Sequence, residues 1–263
     1  MTDGIEVRRD GDVQVVRIAR PEKKNALTGP MYDGLVGALT AAEADDNVAV
    51  HVLMGSGGVF CAGNDINDFA KRATQLGRPG GASGFIQLLP TLEKPLIAAV
   101  DGLAIGVGVT MLFHCDMVLA SPRASFRTAF LDLGLVMEAA SSLLAPAIMG
   151  HQRAFELLCL GEPFDADAGY RAGFVNRVVA ADDLEAEALK AAHKLASKPR
   201  AALLAAKRLM KPGHKEAALD QMAREAKVFS ELLQTPEARE AFSAFLEKRK
   251  PDFAKARAHS PNP

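Results

Sequence analysis

Residues 55–66, reading GSGGVFCAGNDI, constrain this chain more than any other stretch. They follow an apolar run, residues 48–54 (VAVHVLM), that predicts a buried strand. Four glycines then fall within nine positions, at Gly55, Gly57, Gly58 and Gly63. Glycine accepts positive φ and lets the backbone approach another group closely. A buried strand ending in such a loop can present bare N–H groups to a ligand. The same glycines also fit a tight turn between a strand and a helix, and alone they leave both readings open.

The chain around this loop alternates strand and helix patterns. Residues 5–9 and 12–19 predict a hairpin turning at Asp10-Gly11. Residues 21–27 form a loop, and Thr28 is placed to cap a helix running to about Asp45, with Met31, Leu35, Leu39 and Ala42 on its apolar stripe. Residues 67–82 read as polar and mobile or locally helical, and Ser83 as the cap of a helix to Glu93. Leu96 to Val100 is a continuous apolar run, expected to be a strand buried on both faces. The loop Gly106-Val107-Gly108 and a short helix to about Cys115 follow, then a strand from Asp116 to Ala120. Helices are expected over 139–150, 151–160 and 165–172, and a strand over Val175–Val179. From Asp182 onward the pattern is helical, over 182–197, 199–210, 213–234 and 236–249. No fixed-period repeat or linker is visible.

Composition narrows the function classes. With 263 residues the chain suffices for one large domain, and 49% hydrophobic residues can bury a sizeable core. A net charge of −1, no tryptophan and two tyrosines argue against a nucleic-acid partner. Residues 102–120 approach a membrane span in length, but His114, Asp116 and the early glycines favour a buried strand–turn–helix, so no membrane partner is expected. Cys61, Cys115 and Cys159 are too few and too scattered for a disulfide framework. They fit a reducing, cytoplasmic compartment. The polar start and an end without a peroxisomal tripeptide agree with that expectation. His51, His114 and His151 have no nucleophile at a recognisable spacing. His114-Cys115-Asp116 are adjacent residues, which rarely bind one ion together, so no metal is expected. Cys61 reads as a packed thiol between Phe60 and Ala62.

The two glycine loops, residues 60–65 and 105–108, each follow a buried strand. One N–H group from each, converging on a single oxygen, makes an oxyanion hole. At this point the segments VFCAGNDI (59–66) and KPLIAAVDGLAIGVGVTMLFHCDMVLAS (94–121) resemble the paired signatures of the crotonase, or enoyl-CoA hydratase/isomerase, family. The PxxxNAL segment at Pro21–Leu27 and AFSAFLEKRKPDF (241–253) are similar to that family too. The resemblance implies an α/β fold of the crotonase (ClpP-like) type. That fold is a spiral of ββα units over residues 1–198, followed by a C-terminal helical trimerisation region over 199–263. A homotrimer or a dimer of trimers is implied with it. The implied substrate is an acyl-CoA thioester, with coenzyme A part of the substrate and no separate cofactor. The N–H groups of Asn64 and Val107 are then the oxyanion donors. Ala26, Ala62, Gly63, Asp65, Ile66, Gly106 and Phe130 are the implied substrate-lining residues. Lys24 and Lys248 stand where relatives place basic groups near the CoA phosphates, although each also reads as an ordinary solvated lysine.

The carboxylates narrow the implied chemistry. Hydratases of this family use two glutamates, and this chain has Thr110 and Phe130 at those positions. Glu138, in LGLVMEAASS, resembles instead the single glutamate of peroxisomal-type Δ3,Δ2-enoyl-CoA isomerases. Such an enzyme shifts a double bond from C3 to C2, one base taking a proton from C2 and returning it to C4. The apolar neighbours Met137, Ala139 and Ala140 are expected to raise the Glu138 pKa. Read from the residues alone, Glu138 is rather a helix-start glutamate beside Ser141 and Ser142, and it is the resemblance that favours the catalytic role. Asp132 is expected to point away or cap. The dehalogenase branch places an aspartate nucleophile at this position with a tryptophan, and this chain has none. A hydratase-like enzyme of the same fold, or a non-catalytic CoA-binding relative, are the alternative readings.

Overall fold

The computed structural model describes residues 2–66, 68, 81–211 and 213–258. The expected mobile segment lies almost wholly outside these. Strands β1 (Ile5–Asp10), β2 (Val13–Ile18), β3 (Val50–Gly55), β4 (Leu96–Val100), β6 (Met117–Ala120) and β9 (Arg177–Val178) form one sheet in the order β1-β2-β3-β4-β6-β9. Only β1–β2 is antiparallel; every other pair in this sheet is parallel. A second sheet joins β5 (Leu103–Ile105), β7 (Ser125–Arg127) and β8 (Phe164–Asp165). The architecture is the mixed α/β one expected.

The apolar runs are continuous because both faces of the large sheet are covered. On one face Val13, Val15, Val50, Val52, Ile97 and Leu119 pack against Leu184, Ala188 and Ala192 of a helix at Leu184–Ala196. On the other, Val16, Ile18, Leu53, Ala98 and Val118 join a larger core with Met31, Tyr32, Leu35 and Leu39 of α1 (Gly29–Glu43). Helix α2 (Gly81–Leu88) packs on α1 through the Phe85–Tyr32 ring pair, with centroids 5.8 Å apart. The short helix α3 (Val107–Thr110) follows the second glycine loop, and α4 (Ser141–Met149) follows the Glu138 segment. Next come α5 (His151–Phe155), extended by a π-helical turn at Glu156–Leu160, and α6 (Ala166–Ala172). The remaining helices are α7 (Leu184–Ala196), α8 (Arg200–Met210), α9 (His214–Leu233), α10 (Pro236–Leu246) and α11 (Phe253–Ala258). Helix α9 returns to the large core through Ala218 and Met222.

Several boundaries differ from expectation. The hairpin pairs Asp10 with Val13, so its central residues are Gly11 and Asp12, with Gly11 at φ 57°. Ser83 lies inside α2, its hydroxyl accepting from the Gln87 side chain, and caps nothing. The expected strand over 175–179 shrinks to Arg177–Val178, and the last expected helix ends at Leu246, with α11 beyond it. Strands β5, β7 and β8 are too short, at three, three and two residues, to show a sequence period. Among the described residues no helix is long and apolar enough to cross a membrane.

Candidate active site

The two glycine loops lie side by side. The Phe60 and Cys61 amides donate to the Leu103 carbonyl, and the Ile105 amide donates to the Cys61 carbonyl at 2.8 Å. Two glycines allow this contact. A Cβ on Gly63 would sit 2.9 Å from the Ile105 carbonyl oxygen, and one on Gly108 would sit 2.6 Å from that of Cys61. Gly108→Ala is therefore expected to push the loops apart and destabilise the protein by about 1–3 kcal/mol. A thermal melt reads this as a Tm lowered by roughly 2–4 °C per kcal/mol.

Loop one is also tied to the segment before α1. The Leu27 amide donates to the Gly63 carbonyl at 2.8 Å, and the Asp65 amide to the Leu27 carbonyl at 2.9 Å. Buried Asn25 holds the turn beneath, its side-chain amide donating to the carbonyls of Ser56 and Val59. This pairing uses the backbone on either side of Asn64 and leaves the Asn64 N–H without a partner among the described residues. Val107 opens α3, so its N–H is one of the unpaired donors of a helix start, and it too has no partner among them. The two amides singled out by sequence thus have no partner among the described residues and lie on neighbouring loops.

Glu138 joins them. Its Oε1 accepts the Thr110 hydroxyl at 2.5 Å. Thr110 ends α3, so the residue that holds the carboxyl stands about 4.5 Å of axial rise from Val107. Burial raises the Glu138 pKa to about 7, against the opposing Thr110 hydrogen bond and with help from the Glu225 charge. That is the value expected of a group that both takes and returns a proton near neutral pH. The side chain is not part of a helix. Instead the Glu138 carbonyl accepts from the Ser141 amide at 3.1 Å and the Ser141 hydroxyl at 2.6 Å.

Phe130 is 8% exposed and its ring end faces Gly106. Gly106 donates its N–H to the Arg127 carbonyl. The amides of Ala62 and Ala26 are taken by the Lys24 and Lys23 carbonyls. Asp65 has its carboxylate on Arg20 at 2.8 Å, a partly buried ion pair. Contacts to a substrate from Ala26, Ala62, Asp65 and Gly106 would therefore use carbonyl oxygens or side chains. Ile66 is half-buried where loop one ends. Lys24 is exposed at φ 52°, beside loop one. Lys248 is exposed beyond α10, its amide donating to the Phe245 carbonyl, and among the described residues it makes no hydrogen bond to either loop. Asp132 points away, paired with Arg127 at 2.9 Å.

Other groups settle into structural places. The Cys61 thiol is fully buried and pushed up to about 12 by burial, which leaves it unreactive. His51 is buried between Gln14 and Glu43, 2.9 Å from each. Among the described residues no group of three or more His, Cys, Asp or Glu is placed to hold a metal ion.

Of three further polar residues at the site, Tyr32 and Glu225 were not singled out from the sequence, and His114 was weighed there only beside a nucleophile or a metal. Tyr32 donates to the Asn64 side-chain oxygen at 2.6 Å, and the Glu138 charge contributes to its raised pKa after burial and Cys61. Tyr32 thus lies near both Asn64 and Glu138. His114 is buried and donates through Nε2 to the Ala139 carbonyl at 2.8 Å, its pKa lowered by burial to about 4, so the ring is neutral. Glu225 of α9, 5% exposed, accepts the Ala140 amide at 2.7 Å and the Ser142 amide at 3.0 Å. Between these contacts Ala139 and Ala140 are left-handed, at φ 59° and 56°. For alanine that conformation costs on the order of 1–3 kcal/mol per residue. A signal for Glu225 exists in hindsight: Ala218, Met222 and Glu225 repeat at i, i+4 and i+7, which puts a carboxylate on the apolar stripe of a helix.

A family model described as enoyl-CoA hydratase/isomerase matches residues 8–256. The crystal structure of an enoyl-CoA hydratase/isomerase from Pseudoalteromonas atlantica T6c superposes with a TM-score of 0.90 at 40% identity, covering 95% of this chain and 100% of that one. A probable enoyl-CoA hydratase of Rhizobium meliloti (strain 1021) is 33% identical over 247 residues, 94% of this chain and 96% of that protein. Enoyl-CoA delta isomerase 2 of Rattus norvegicus is 33% identical over 218 residues, 81% of this chain and 56% of that protein.

Proposed function

The chain belongs to the enoyl-CoA hydratase/isomerase family, and on that premise we propose that it moves a double bond from C3 to C2 of an enoyl-CoA. The amides of Asn64 and Val107 hold the thioester oxygen as C2 loses its proton. The electrons spread into a dienolate, whose negative charge rests on that oxygen. Glu138 takes the C2 proton and returns it to C4, so the double bond ends between C2 and C3 and no atom is gained or lost. The observation that carries this reading is the hydrogen bond to the buried, raised-pKa Glu138 carboxyl from Thr110, which lies on the same short helix as Val107. Thr110 also occupies a place where the resemblance puts a hydratase glutamate, and it serves Glu138 as a donor.

A hydratase-like reading is favoured by the likeness to the Rhizobium meliloti protein. Adding water to C2=C3 needs one group to take a proton from water and another to give one to carbon. With Thr110 and Phe130 at the implied glutamate positions, Glu138 would have to do both. The two readings separate in one experiment, in which 3-enoyl-CoA and 2-enoyl-CoA thioesters of several chain lengths are followed for isomerisation and hydration in parallel. Isomerisation faster than hydration at every chain length supports the first; the reverse order overturns it.

The proposal includes a homotrimer, or a pair of trimers, built by the C-terminal helices. Leu209 and Met210, adjacent on α8, are 80% and 76% exposed in the single chain and would be available to such a contact. Light scattering on the eluting protein is expected to give a multiple of three of the 27.9 kDa chain; a monomer mass would reject the assembly.

A further inference from the structure

The backbone just after Glu138 is held from two sides by residues far away in sequence, and the held segment is strained. Ala139 and Ala140 are consecutive left-handed alanines, a conformation that persists only where the surroundings enforce it. Helix α4 starts at Ser141 with Ala140 as its cap residue, and no local side chain caps it. The capping carboxylate comes instead from Glu225, 85 residues beyond Ala140. It accepts the amides of Ala140 and Ser142 and the Ser142 hydroxyl at 2.5 Å, which in turn accepts from Gln221 at 2.9 Å. An anion at a helix start is favoured by the dipole as well as by the bonds. From the opposite side neutral His114, on the turn that continues α3, holds the Ala139 carbonyl. The Glu138 side chain leaves the backbone immediately before this clamp and is bonded at its tip to Thr110.

We propose that Glu225 and His114 are positioning residues that force the backbone after Glu138 into its left-handed turn and so aim the carboxylate at the substrate carbons. The C-terminal helix α9 thereby completes the active site from within the same chain. This rests on the reading of Glu138 as the proton shuttle. Neither residue touches the substrate; both hold main-chain atoms, and the Glu225 charge also helps raise the Glu138 pKa. Without Glu225 the alanines relax toward right-handed backbone, and the carboxylate swings away from a fixed thioester.

Glu225→Gln tests this, because an amide retains the shape but turns an N–H₂ toward one of the donors it must accept from. The expected result is a kcat lowered 10- to 100-fold with KM within about three-fold, since the oxyanion loops and CoA contacts are untouched. Met222→Ala, one turn earlier on the same helix and facing the core, is the control for plain destabilisation and is expected to lower Tm with kcat nearly unchanged. Should Glu225→Gln not fold, Ser142→Ala removes one bond of the latch and is expected to lower kcat three- to ten-fold. Ala140→Gly placed on the Glu225→Gln background is expected to recover Tm, by removing the strain, without recovering kcat. Hydrogen exchange over residues 135–143 reads the latch without turnover and is expected to speed up in Glu225→Gln but not in Met222→Ala. A Glu225→Gln enzyme with wild-type kcat, or with exchange over 135–143 unchanged, overturns the proposal. Failure of wild-type protein to turn over 3-enoyl-CoA, with the exchange result intact, rejects the isomerase reading alone.

Discussion

Glu138→Gln is expected to lower kcat on a 3-enoyl-CoA by about 10²–10⁴-fold, the usual contribution of a positioned general base. Gln can still accept the Thr110 hydroxyl, so the geometry survives and only the proton is lost. Turnover within a few-fold of wild type would remove Glu138 from the mechanism. The wild-type pH profile follows from the same group. Glu138 must be ionised to take a proton from C2, so kcat/KM is expected to rise with pH through about 7.

The same substitution has a stability signature of opposite sense. An unfolded glutamate titrates near 4.5, whereas folded Glu138 titrates near 7 because burial disfavours its charge. Between these values the folded state binds more protons than the unfolded state, so this group's contribution falls as pH rises through the window. Above pH 7 the ionised carboxylate costs up to about 3 kcal/mol, at about 1.4 kcal/mol per pKa unit. Glu138→Gln carries no such charge. It is expected to be more stable than wild type in urea at pH 8, with the gap closing as pH falls toward 4.5. An unchanged gap between pH 5 and pH 8 would show that Glu138 is not buried as a carboxylate. A base whose ionised form destabilises the fold is the pattern expected where activity and stability compete.

Val107→Pro is expected to lower kcat by about 10²–10³-fold, the effect of removing one oxyanion donor. A backbone donor is usually out of reach of mutation, but this one is accessible for three reasons. Val107 is the first residue of α3, the helix position where proline is favoured. Its N–H makes no bond among the described residues, so none of those is lost on removal. Gly106 before it has φ 57° and ψ −117°, the mirror image of the extended conformation required before proline, and achiral glycine can hold it. The side chain is buried, but valine and proline are close in size, so Tm is expected to stay within a few degrees. A melt and a rate measurement on the same preparation decide the matter. Wild-type kcat at wild-type Tm would mean that the Val107 amide faces no developing charge.

Much of this was legible in one dimension because it depends on local chemistry. The apolar runs at 50–54, 96–100 and 117–120 are strands since each is buried on both faces, and a continuous run records that directly. The glycines at Gly63 and Gly108 mark the two loops because a Cβ at either would collide with the other loop's backbone or side chain. The apolar neighbours of Glu138 predicted the direction of its pKa, since desolvation depends on the immediate surroundings. Short strands escaped notice because two or three residues carry no period. The Ser83 cap failed because α2 begins two residues earlier, at Gly81.

The sequence by itself determined the strand–loop–helix order, the two glycine loops, and a carboxylate, Glu138, in apolar company. Tertiary structure alone decided what holds that carboxylate. Tyr32 reaches Asn64 across 32 positions, and Glu225 reaches the turn after Glu138 from more than 80 away. Pairings of that kind are set by how helices pack on a sheet, and packing depends on distances in space that spacing along the chain does not encode.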